Sequence, residues 1–146
     1  MGRVRVGTTV AASASEVWAH IADVGSHVGW MRDAEAIRLI GGTANRVGAT
    51  YEVDTRVGPV RLLDVVEVTE WDDAKAMSVR HVGAVRGTGR FTLEERDGGT
   101  RFVWDEELKF RWWMGGPLGA AVGRIVLKQV WVRNLRTLKR RVEAGL

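Results

Sequence analysis

The stretch GATYEVDTRVGPVRLLDVVEVTEW, residues 48–71, decides how the whole chain is read. Ala49, Tyr51, Val53, Thr55 and Val57 alternate with Thr50, Glu52, Asp54 and Arg56. A period of two puts the first set on one face of a strand and the second on the other. Gly58-Pro59 then breaks the pattern as a turn, and a longer run rich in valine returns to Trp71. The segment is therefore an antiparallel hairpin with one wet face and one apolar face. A lone hairpin is marginal in water, so more sheet must surround it.

The flanks supply that sheet. Downstream, DDAK (72–75) turns into AMSVRHV, and AVRGTGRFTLEERDGGTRFVWDEELKF makes a further hairpin about Asp97-Gly98-Gly99. Upstream, RVRVGTTV (3–10) alternates, and AEAIRLIGG (34–42) reads as a strand closed by glycines. Between these two, Ser13 and Glu16 form the S-x-x-E box that starts a helix. Val17, Ile21 and Val24 share its apolar face, His20 points outward, and a short helical turn is expected over Ser26 to Trp30. From Pro117 onward the period changes. Leu127, Trp131, Leu135, Leu138 and Val142 recur at three- or four-residue steps, so a long helix closes the chain. Pro117 suits its first position, where no amide donor is lost.

At 146 residues the chain suits one domain, residues 1–146, with a real core. Apolar residues make up 45% and charged residues 27%, as in ordinary globular proteins. The absence of cysteine excludes a disulfide framework, a thiolate zinc site and a cysteine nucleophile, and fits a cytoplasmic location. The start MGRVRVGTTV does not read as a signal peptide, and no apolar run is long enough to span a bilayer. The net charge is +4, and part of the excess sits in RNLRTLKRRVE (133–143). The solvated face of an amphipathic helix accounts for that run, and no zinc finger or RNP-type motif speaks for nucleic acid.

The order of elements resembles the START-like, or Bet v 1-like, superfamily (SRPBCC), and within it the bacterial polyketide cyclase/dehydrase proteins. The residues that carry the likeness run from VAASASEVWAHIADV and Trp30, through VGATYEV, VVEVTEWD and GGTRFVW, to LRTLKRRVE. They span essentially the whole chain. The resemblance implies an α+β helix-grip fold: a curved antiparallel sheet of about seven strands wrapped round the C-terminal helix, with two short helices after the first strand. It also implies an apolar cavity between sheet and helix, the natural place for a hydrophobic ligand of lipid or polyketide type.

Strand parity names the residues that face such a cavity. They are Tyr51, Val53, Met77, Val79, Phe91 and Trp104, with Leu127, Trp131 and Leu135 from the closing helix, and the resemblance adds Trp30. Packing alone would also place these residues inside. Two polar residues interrupt the apolar faces: His81 in phase with Met77 and Val79, and Glu106 in phase with Trp104 and Leu108. A carboxyl and an imidazole side by side can exchange a proton, so this pair is the candidate for acid–base work in a cyclase or dehydratase. The bland alternatives are a structural hydrogen bond, or a bulge within Asp105-Glu106-Glu107 that turns Glu106 outward. Arg124, on the helix face of Leu127 and Trp131, is placed to meet an acidic ligand head or to lie at the cavity edge.

The stretch FRWWMGGPLG (110–119) joins the last strand to the helix, and Trp112 and Trp113 are expected at the cavity lip. Leu118, Ala121, Val122 and Ile125 form a second apolar face on the helix, open to cover by loops, by a second subunit or by lipid. RGTGRF (86–91) opens no helix, so its glycines are not a dinucleotide fingerprint, and the histidines at 20, 27 and 81 lack metal-ligand spacing. The expectation is a ligand-binding protein without metal or cofactor, monomeric or homodimeric. An enzyme acting through His81 and Glu106, and a protein docking on a membrane or partner, remain the alternatives.

Overall fold

The computed structural model describes residues 2–109 and 116–145. Seven strands form one antiparallel sheet in the order β1-β7-β6-β5-β4-β3-β2. They are β1 (Gly2–Val10), β2 (Ala34–Gly41), β3 (Thr50–Val57), β4 (Val60–Asp72), β5 (Ala76–Val82), β6 (Arg86–Arg96) and β7 (Gly99–Lys109). Helix α1 (Ala14–Ile21) and a 3-10 helix (Val24–Gly29) follow β1, and α2 (Gly116–Glu143) closes the chain. This is the helix-grip architecture. Residues 48–71 hold the β3–β4 hairpin, with Val57 opposite Val60 across Gly58-Pro59.

Local chemistry sets the elements. Ser13 caps α1 by accepting from the Glu16 amide at 3.2 Å. Asp23, not Ser26, starts the 3-10 helix, accepting from the Gly25 amide at 3.2 Å, so that helix begins two residues before the expected turn. The β6–β7 turn is tighter than expected. Asp97 and Gly98 alone form it, both at positive φ (48° and 78°), and Gly99 already pairs with Arg96. Positive φ at both central residues matches the right-handed twist of the strands it joins.

The sheet's inner face carries two apolar clusters. The larger joins Val4, Val6, Phe91, Leu93, Phe102 and Trp104 to Val17 and Ile21 of α1 and to Trp131, Leu135, Leu138 and Val142 of α2. The smaller gathers Val24, Ala49, Tyr51, Val66 and Val68. The C-terminal half of α2 is held firmly. Lys139 Nζ donates to the Thr9 carbonyl at 2.7 Å, and Glu143 accepts from the Ala11 amide at 2.7 Å. Asn134 Oδ1 accepts from the Arg32 amide at 3.0 Å.

Candidate functional site

His81 and Glu106 lie on strands that do not touch, because β6 runs between β5 and β7. One glycine of β6, Gly89, lets them meet. Gly87 pairs with His81 on one side, and Gly89 pairs with Glu106 on the other. A Cβ on Gly89 would stand 2.7 Å from Glu106 Oε1, so the carboxylate fills the space that a side chain would occupy. Glu106 thus reaches across β6, and its Oε2 comes to 3.3 Å from His81 Nε2. Both β7 ladders run in unbroken register, so no bulge turns Glu106 outward. Asp105 and Glu107 take the outer face, where Asp105 pairs with Arg3 at 2.6 Å.

The sequence reading did not single out the third member. Asp64 of β4 approaches the other ring nitrogen, Oδ2 to Nδ1 at 2.8 Å. A signal existed: Asp64 shares its phase with Leu62, Val66 and Val68. The ring is therefore flanked by carboxylates on both nitrogens. Burial works against a charged imidazole, but the hydrogen bond to Asp64 and the close carboxylate of Glu106 outweigh it and push the pKa up to about 10. A pKa raised this way favours the imidazolium form of His81 at neutral pH. Its Nε2 is buried, and the contact with Glu106 is too poorly aligned to count as a hydrogen bond, so one charged donor lacks a proper acceptor. Asp64 and Glu106 approach opposite nitrogens and do not converge on one point. Among the described residues no group of three potential ligands could hold a metal ion.

Aromatic rings continue the site. Trp104 Nε1 donates to Glu106 Oε1 at 3.0 Å, and its ring stacks on Trp131 with centroids 4.6 Å apart. Trp131 Nε1 donates to Asp33 Oδ2 at 3.1 Å, and Asn134 Nδ2 donates to Asp33 Oδ1 at 2.7 Å. Burial holds the Asp33 carboxyl above the usual carboxylate range, against those two hydrogen bonds. Two stacked indoles thus bridge a buried acid, Glu106, and a half-buried one, Asp33. Trp30 packs beside Phe91 and Trp104, and its Nε1 is a second buried donor without a partner. His27 stands against Trp30 and donates from Nε2 to the Ile21 carbonyl at 2.8 Å; burial lowers its pKa to about 4, so it is neutral.

The structure brings Trp30, Phe91, Trp104 and Trp131 into one aromatic cluster, which Trp104 joins to the pair His81 and Glu106 through its hydrogen bond to Glu106. Met77 and Leu135 are buried in the larger apolar cluster, whereas Val53, Val79 and Leu127 are only half-buried. Tyr51 is buried, but its hydroxyl is engaged locally, donating to Asn45 Oδ1 and accepting from the Asn45 amide. Arg124 is exposed and lies over the start of β1, where a Cβ on Gly2 would meet its Cδ at 2.6 Å. Trp112 and Trp113 fall outside the described residues. Two surface grooves, of about 1070 and 750 Å³, lie elsewhere, beside the β4–β5 turn and at the β6–β7 turn. Neither is bordered by His81 or Glu106.

The sequence matches the family described as polyketide cyclase / dehydrase and lipid transport over residues 1–143. The chain belongs to that family. Solved structures place the polyketide cyclase/dehydrase chain in the same fold. A protein of Thermus thermophilus superposes with a TM-score of 0.85 at 17% identity, covering 99% of both chains. A START superfamily protein from Mycobacterium smegmatis gives 0.80 at 13% identity over 99% of both. The Zhui aromatase/cyclase from a Streptomyces species gives 0.77 at 17% identity, covering 97% of this chain and 93% of that one. At such identities the likeness speaks for the fold alone. Comparison with curated proteins finds no match.

Proposed function

We propose that this polyketide cyclase/dehydrase family member binds an apolar small molecule of lipid or polyketide type against the inner face of the sheet, with a ligand oxygen on His81 Nε2. The observation that carries this reading is His81 Nε2, a buried ring nitrogen without a well-formed hydrogen bond. A buried donor left unsatisfied costs about 1–3 kcal/mol, and a carbonyl or hydroxyl oxygen would recover it. Apolar contact is at hand from Val53, Val79 and Leu127, which are half-buried at the inner face and on α2. A pair of flat probes tests the reading: anthraquinone, with ketone oxygens, and anthracene, without them. At least tenfold tighter binding of the ketone is expected, equivalent to about 1.4 kcal/mol. Equal affinities would remove His81 from recognition, and binding of neither probe would sink the reading. Native mass spectrometry of freshly purified protein supplies a second test, through any co-purified ligand.

A second reading, cyclisation or dehydration, is favoured by the approach of His81 and Glu106 to 3.3 Å on an apolar face. An imidazolium with a pKa of about 10 gives up its proton reluctantly at neutral pH. In this reading it polarises a carbonyl as a donor, and Glu106 is the group that takes a proton. Turnover of a poly-β-ketone substrate that vanishes in Glu106→Gln, with probe binding retained, would mark the protein as an enzyme.

A further inference from the structure

The outward face of α2 carries a pattern that the ligand site does not use. Val122, Val126, Gln129, Arg133, Arg136 and Arg140 follow one another at steps of four and three, with Ile125 beside the first two. Those spacings define one stripe, roughly half a turn away from the buried stripe of Trp131, Leu135 and Leu138. Every residue of the outer stripe is exposed, Val122 at 53%, Ile125 at 63% and Val126 at 37%. Of the second face expected from the sequence, Val122 and Ile125 are exposed, with no cover among the described residues, Ala121 is half-buried, and the Leu118 side chain lies outside the described residues. The stripe is apolar in the N-terminal half of the helix and basic in the C-terminal half. Over residues 116–143 the helix holds seven basic side chains and one acid, Glu143. That acid is already engaged by Lys139 at 2.6 Å and by the Ala11 amide.

We infer that this face of α2 docks the protein on an anionic lipid surface, with Val122, Ile125 and Val126 in the headgroup–acyl boundary and Arg133, Arg136 and Arg140 against lipid phosphates. An interfacial helix needs an apolar patch to enter the boundary and cations to hold anionic headgroups, and this stripe supplies both along one line. A second copy of the chain fits less well. Three aliphatic side chains fall far short of the roughly 800 Å² per partner that a stable pair buries. A nucleic acid would use the arginines and leave the aliphatic residues in water. The inference stands apart from the ligand reading, since no residue of the outer stripe borders His81 or Glu106.

The test uses vesicles of phosphatidylcholine, with and without phosphatidylglycerol, and the whole chain. The sequence holds no cysteine, so Ile125→Cys provides a unique site for an environment-sensitive dye. Expected results are sedimentation with the anionic vesicles only, a blue shift of the dye on binding, and at least about tenfold weaker binding in Val122→Glu/Ile125→Glu or in Arg133→Glu/Arg136→Glu. Raised salt should weaken binding as well. Unchanged thermal melting of each variant separates loss of docking from loss of fold, and the dye reads the same surface without added charge. The inference is overturned if the protein ignores anionic vesicles, or binds them with no dye shift and no effect of Val122→Glu/Ile125→Glu. It is also overturned if the wild type is a dimer that Ile125→Glu dissolves while vesicles stay unbound.

Discussion

The two halves of the sheet are built on the same alternation and end in different states. On β1, β6 and β7 the inward residues Val4, Val6, Phe91, Leu93, Phe102 and Trp104 are buried, sealed by α1 and the C-terminal half of α2. On β3, β4 and β5 burial is uneven: Tyr51, Val66, Val68 and Met77 are buried, whereas Val53, Thr55, Leu62, Asp64 and Val79 stay half-buried, although their phase is as good. The difference lies in what covers them. A helix covers only a strip of a wide sheet, and α2 runs over β1 rather than over the middle strands. The covered half becomes a dry core, and the other half keeps accessible apolar surface. His81 sits on the boundary, tied to Asp64 on the open side and facing Glu106 on the closed one. Alternation tells which face is inward; the position of the covering helix tells whether that face is filled.

The sharpest way to break this comparison is Trp131→Ala. It removes a buried indole from the closed half and leaves the Asp33 carboxylate with one partner fewer. A loss of about 3–5 kcal/mol in urea unfolding is expected. Trp131→Phe should recover most of the packing but not the hydrogen bond. An unchanged midpoint in Trp131→Ala would mean that α2 does not seal this half.

The pH dependence of stability probes the boundary. His81 holds its proton more tightly folded than unfolded, with a folded pKa of about 10 against 6.5. Its contribution is therefore complete below about pH 6.5 and is lost as pH rises through about 10, on the order of a few kcal/mol. His27 has the opposite sign. Its folded pKa of about 4 means that its contribution is present above about pH 6.5 and is lost as pH falls through about 4, on the order of 3 kcal/mol. His81→Gln should flatten the alkaline limb and His27→Gln the acid one. NMR of the ring protons checks each assignment directly.

Gly89→Val acts on the same boundary through sterics. A side chain there meets Glu106 Oε1 and forces the carboxylate off His81. A destabilisation of about 1–3 kcal/mol is expected, with a fall in the His81 pKa followed by NMR. A pKa that does not move would show that Glu106 contributes nothing to the charge on the ring. The smallest effect belongs to the open half. Val53→Ala should cost under about 1 kcal/mol, because the methyl groups it removes are only half-buried. It should nonetheless weaken binding of an apolar probe. A cost equal to that of a core valine would erase the difference between the halves.

Much of this was legible in the sequence. The strands, the capped first helix, the hairpin at Asp97-Gly98 and the buried stripe of α2 all follow from local periodicity and turn chemistry. His81 and Glu106 stood out because each is a polar residue in an apolar phase. Asp64 carried the same mark and was missed, since its strand also bears charges on the outer phase. Asn134 and Asp33 were less visible. Asn134 sits between stripe positions, and Asp33 lies in a connection where no period applies. The glycines of β6 sit in an alternating strand and open no helix, and room for Glu106 appears only when β7 is laid beside them.

By itself the sequence determined which residues share a face, because side-chain phase along a strand or helix is fixed by backbone geometry. It determined the order of elements and the basic, half-apolar outer stripe of α2. The tertiary structure alone decided what those faces meet. Pairing of β5, β6 and β7 set His81 against Glu106 across Gly89, although they stand 25 positions apart in the chain. The charge on the ring follows from that meeting, and from Asp64 on the other side. A pKa is set by distances between groups remote in sequence and by the water excluded around them, and neither is written in a local pattern.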